Sequence, residues 1–161
     1  MAEDPTMTAI TDAVTLGRTG DRDAARATLI ALWPAVHRGG DPLHRCVLAH
    51  HLADLCDDPA EALGWNIRAL DATDLLDDER TERAHPGLRV RGFYSSVHLN
   101  LAEDYRRLGS FDLAKRHLGR ASEFLDAVPD DEYGTVVRQG IAGVTEAVDA
   151  RSAAAREMPE Q

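Results

Sequence analysis

Lysine is nearly missing from this chain: Lys115 is the only one, and arginine supplies the rest of the 18 basic residues. Aromatic residues make up only 5% of the 161 positions. That is too few for a β-sandwich, whose strands draw on Tyr and Phe beside Val and Ile. There are only two cysteines, Cys46 and Cys56. On one helix they would stand about 15 Å apart, beyond the roughly 7 Å that a disulfide spans between Cα atoms. No apolar run approaches the roughly 20 residues of a membrane span. An excess of positive charge is lacking too. The formal net charge is −10 and the pI is near 5.0. Nucleic-acid binders draw much of their affinity from basic contacts to phosphate, so no nucleic-acid partner and no membrane is expected. Cationic or mixed-charge partners fit better. The N-terminus, MAEDPTMTAITDA, lacks the basic and apolar regions of a signal peptide, and a cytoplasmic location is the expectation.

What is present is material for helices. The hydrophobic fraction is 43%, with Ala and Leu prominent, and charged residues make up 29%. The length suits one domain with a continuous core. Arginine in place of lysine, with abundant Ala and Asp, points to a GC-rich bacterial gene.

Residues 1–5 read as a short tail, 6–150 as a single helical domain and 151–161 as a frayed end. Seven helices are expected. Met7, Ile10, Val14 and Leu16 mark the first, and Gly17 and Gly20 close it. Asp21 caps the second, whose last turn Pro34 should kink. Asp41-Pro42 and Asp58-Pro59 open the third and fourth, each an N-cap followed by Pro at the first helical position. The polar run DDERTERAHPG reads as a long connection, open to beginning as an extension of the fourth helix that stops before His85-Pro86. The fifth helix spans about 88–108, the sixth runs from Phe111 to Val128, and the seventh begins at Asp131 with a stripe of Val136, Val137, Ile141, Val144 and Val148.

The strongest pattern is LAEDYRRLGSFDLAKRHLGRA, Leu101 to Ala121. It pairs two amphipathic helices across Gly109, with Ala102, Tyr105, Phe111, Ala114, Leu118 and Ala121 at fixed intervals. It resembles the tetratricopeptide repeat (TPR), a helix–turn–helix unit of about 34 residues. Weaker copies centre on Ala25 and Ala62, which with Ala114 give spacings of about 37 and 52. The resemblance covers residues 6–128 and implies an all-α, right-handed superhelix of antiparallel helix pairs, with the last helix as a C-terminal cap.

In that family the first helix of each repeat lines a concave groove. Carried over, the groove takes Met7, Ile10, Val14 and Gly17 from the first repeat and His44, Val47, His51 and Asp54 from the second. The third adds Ser96, Leu99, Glu103 and Arg106, with Asn100 nearby. His98 and Tyr94 would form the floor. The binding residues expected are thus His44, His51, Asp54, Tyr94, His98, Asn100, Glu103 and Arg106. The groove lacks the Lys/Arg cluster of a carboxylate clamp, which argues against binding of peptide C-termini.

Cys46, His50 and Asp54 share one helix face, and two of them could ligate zinc. The stronger reading makes Cys46 a buried small hydrophobe, so neither a metal nor a cofactor is expected. His50, Asn66 and His98 fall at contact positions that the family fills with apolar groups, and a hydrogen-bonded network joining Tyr94 is expected there. No G-x-S-x-G, phosphate loop or H-E-x-x-H occurs, so no catalytic residue is assigned. The leading reading is an adaptor that binds a peptide or protein partner, or another copy of itself, through the groove. The alternative is a small-molecule or metal-binding sensor with a His-rich pocket between the second and third repeats.

Overall fold

Aspartate starts most of these helices. In the computed structural model, which describes residues 3–156, the side chains of Asp4, Asp21, Asp41, Asp58, Asp77 and Asp131 each accept a backbone N–H of the helix that follows. Such a cap satisfies one of the orphan donors of the first turn and contributes about 1 kcal/mol. Behind Asp4, Asp41 and Asp58 a proline takes the first turn, where its missing N–H leaves no bond unmade.

Among the described residues all regular structure is helical. The helices are α1 (Pro5–Arg18), α2 (Arg22–His37), α3 (Pro42–Asp54), α4 (Pro59–Thr73), α5 (Asp78–Ala84), α6 (Val90–Arg107), α7 (Phe111–Glu123) and α8 (Glu132–Asp149), with a 3-10 turn at Leu125–Ala127. This is one α-helix more than the sequence predicts. The extra one is α5, in the polar run read as a connection, where the Asp77 cap and Asp78 and Glu79 in the first turn start a short helix. Two other differences are small. α1 begins within the expected tail, at Pro5, and the sixth helix breaks into α7 and the 3-10 turn. α2 contains Pro34 and runs to His37. No helix among the described residues is long and apolar enough to cross a membrane.

The chain divides into two compact units, Met1–Leu75 and Leu76–Gln161. In the first, α1 packs on α2, α3 on α4, and α3 also meets both α1 and α2. Its core gathers Ile10, Ala13, Leu29, Val36, Leu48 and Leu52, with Trp33 and Trp65 meeting edge to face at 5.2 Å. Cys46 and Cys56 are both buried and unbridged.

The second unit repeats the scheme: α6 packs on α7, and α8 meets both. Gly109, at φ +77°, ends α6 in the left-handed region that glycine enters freely. Its N–H bonds the Arg106 carbonyl and the next N–H bonds that of Tyr105, the double bond of a Schellman turn. One core holds Leu99 and Ala102 of α6, Ala114, Leu118 and Ala121 of α7, and Val137, Ile141, Val144 and Val148 of α8. Gly140 lets α8 approach α6. A Cβ there would lie 2.6 Å from Leu99 Cδ2, and Leu99 is fully buried. Gly140→Val is therefore expected to lose about 2 kcal/mol in urea unfolding. Gly119→Ala, in a helix with open space at the Cβ, is expected to gain up to about 1 kcal/mol.

Candidate functional site

Three of the eight expected binding residues, His44, His51 and Asp54, lie on α3 in the first unit. The other five lie on α6 in the second.

Near its start α3 carries His44. The Nε2 of this ring is 2.8 Å from Asp4 Oδ2 and 3.9 Å from Asp41 Oδ2. The other oxygen of each carboxylate holds a helix cap, Asp4 Oδ1 on the Met7 N–H and Asp41 Oδ1 on the Leu43 N–H. Folding thus brings one imidazole between two carboxylates that are already positioned.

Near its end α3 carries His50, His51 and Asp54. His50 Nε2 is 3.6 Å from Asp54 Oδ2, and the two imidazole rings lie 5.0 Å apart at a tilt. Burial pushes His51 down to about 3, helped by the charges of His50 and Arg18. Arg22 donates to the Asp54 carbonyl and pairs with the Asp57 carboxylate at 3.8 Å.

The His51 shift has a consequence for stability. Unfolded, the ring titrates near 6.5. Folded, it stays neutral until about 3. Between these values the unfolded chain binds the extra proton, so stability rises with pH and is lost as pH falls below 6.5. From pH 7.5 to 5.5 this one ring should remove about 1 kcal/mol. His51→Gln is expected to flatten that part of the profile, measured by urea unfolding across the range.

Cys46 does not join His50 and Asp54, as a zinc set read from the sequence would require. Its thiol lies 3.3 Å from Thr73 Oγ1 in the core, and burial pushes it up to about 12. The thiolate that a metal needs is thereby suppressed. His51 stands in its place: one donor atom each from His50, His51 and Asp54 lie within 4.8 Å of one another.

On α6 the expected groove residues are largely enclosed. Arg106 is fully buried and Glu103 nearly so. The guanidinium donates from Nε and NH2 to the two Glu103 oxygens at 2.8 and 2.6 Å, and from NH1 to the Ser152 carbonyl. This corrects the expectation that Arg106 stands open to a ligand. Ser152 N bonds the Ala147 carbonyl beyond Arg151 at φ 51°, and so closes α8; the rest of the expected frayed end, 157–161, lies outside the described residues. Ser96 Oγ accepts from the Tyr133 hydroxyl of α8 at 2.8 Å. Leu99 packs on Gly140. The face of α6 assigned to the groove therefore looks onto α8 and the segment behind it. Asn100 is buried, at 9% exposure.

Tyr94 and His98 do come together, stacked with centroids 6.2 Å apart. A polar partner of His98 is His117 of α7, Nδ1 to Nδ1 at 2.9 Å. One ring must therefore be neutral to accept the bond. Tyr105 stacks on His117 at 5.3 Å, and Phe124 lies 5.5 Å from Tyr94 with the Arg91 and Arg120 guanidiniums over its ring. Burial, then Arg120, lowers the His117 pKa. His117 is missing from the residues read off the sequence. Its only signal there is its position three after Ala114 and next to Leu118 on the apolar side of α7.

Comparison of the chain with protein-family models, with curated proteins and with solved structures found no match.

Proposed function

We propose that this chain is a helical-repeat binding module of the TPR kind, which holds a basic or mixed-charge peptide segment of a protein partner against α3. The observation that carries this reading is the packing scheme shared by the two units. In each, the first helix of a hairpin meets the first helix that follows (α1 with α3, α6 with α8), and the second helix meets it as well. Stacked helix pairs of this kind present a run of first helices as a binding face. On α6 that face is occupied by α8. On α3 it carries His44, Val47, His51 and Asp54, which mix hydrogen-bonding, apolar and acidic groups. The net charge of −10 favours a cationic ligand.

Selection of a random peptide library on the immobilised chain, followed by calorimetry on the enriched peptides, tests this. Enriched sequences should carry Arg or Lys. Asp54→Asn and His51→Ala should each weaken binding by about 1 kcal/mol or more, the scale of a lost hydrogen bond to a charged group. Failure to enrich any sequence over bare resin, or affinities untouched by both substitutions, would sink the reading.

A further inference from the structure

The last turn of α3 holds two imidazoles and a carboxylate whose donor atoms already converge. We propose that His50, His51 and Asp54 form a binding site for one divalent transition-metal ion of the zinc class. The site shares His51 and Asp54 with the proposed peptide-binding face, but it does not rest on that reading.

Three observations carry it. The donor atoms lie within 4.8 Å of one another, and His50 Nε2 and Asp54 Oδ2 are 3.6 Å apart. Metal bonds of about 2.0–2.2 Å place tetrahedral ligand atoms about 3.4 Å from one another, so only small side-chain rotations are needed. Two histidines with one carboxylate, and the remaining positions open to water, form a donor set that first-row divalent ions accept. The site sits at the C-terminal end of α3, where the helix dipole favours a cation.

Two guanidiniums oppose the ion and set its affinity. Arg18 is close enough to disfavour charge on His51, and Arg22 reaches the Asp54 carbonyl. The second such cluster, Asp4, Asp41 and His44, is the weaker candidate. It lies at the N-terminal ends of α1 and α3, where the helix dipoles oppose a cation, and one oxygen of each carboxylate is committed to a cap.

The test uses the full-length chain without a histidine tag, and no peptide, so its outcome is separate from that of the peptide selection. Zinc is titrated by calorimetry, and cobalt(II) is followed by its visible absorption. The wild type should bind one equivalent. His50→Ala and Asp54→Asn, both at partly exposed positions, should weaken binding about tenfold or more with an unchanged circular dichroism spectrum. Arg18→Met should tighten it, and His44→Ala should leave it unaltered. An absence of binding at millimolar zinc would overturn the proposal. So would binding that survives both His50→Ala and Asp54→Asn, or that is lost in His44→Ala. If His51→Ala fails to fold, the other two ligand variants still decide the matter.

Discussion

Arg106→Ala is expected to destabilise the protein by about 3–5 kcal/mol, the usual effect of removing one partner of a buried ion pair. The reason lies in what remains. Glu103 is 7% exposed, and both of its carboxylate oxygens accept from Arg106. Without the guanidinium it is an unpaired carboxylate in a poorly hydrated place. The Ser152 carbonyl loses its donor as well. Replacing both partners, as Glu103→Gln with Arg106→Met, removes the orphaned charge and should restore much of the loss, because a buried pair often contributes little net stability over apolar groups of similar volume. Urea unfolding of the wild type, the single and the double variant measures this. A single variant within about 0.5 kcal/mol of wild type, the range of a neutral surface substitution, would show that Arg106 is not buried as described.

Ending the chain at Asp130 is expected to have a still larger effect. It removes α8, and with it Val137, Ile141, Val144 and Val148 from the core they share with Leu99, Ala102, Ala114, Leu118 and Ala121. Each such side chain contributes roughly 1.5–3 kcal/mol when fully buried. Four of them approach the total stability of an ordinary domain, about 5–15 kcal/mol. The truncated chain should therefore aggregate on purification, or melt more than about 10 °C lower in a circular dichroism scan. A soluble, monomeric truncation with an unchanged melting point would contradict the capping role of α8.

The helices themselves were legible because their signals are local. Asp41-Pro42 and Asp58-Pro59 mark two starts within two residues of sequence, and both caps form in the fold. The spacing around Gly109 foretells the α6–α7 hairpin, with Ala102, Ala114, Leu118 and Ala121 all buried. The valine stripe of α8 foretells its burial in the same way. The site was less legible, because its partners are distant in sequence and the choice of rotamer decides them. Periodicity places Arg106 on the face toward the next helix. It does not reveal that α8 and Ser152 would close that face. The spacing of Cys46, His50 and Asp54 marks a shared helix side, yet Thr73, 27 positions along the chain, draws the thiol into the core. His51, one residue out of that register, swings to the other two instead. The His98–His117 bond joins separate helices across 19 positions, and no pattern within either helix announces it.

The central claim, that the α3 face is the binding surface, is most directly tested by NMR. The chain carries seven histidines, and their ring signals report separately on the two candidate regions. A peptide selected on the chain is titrated into the isotopically labelled protein while these signals and the backbone amides are followed. Binding at α3 should move the His44 and His51 rings and the amides of residues 43–54, and leave His98 and His117 in place. Shifts confined to His98, His117 and the α6–α7 seam would place the binding surface elsewhere and contradict the claim.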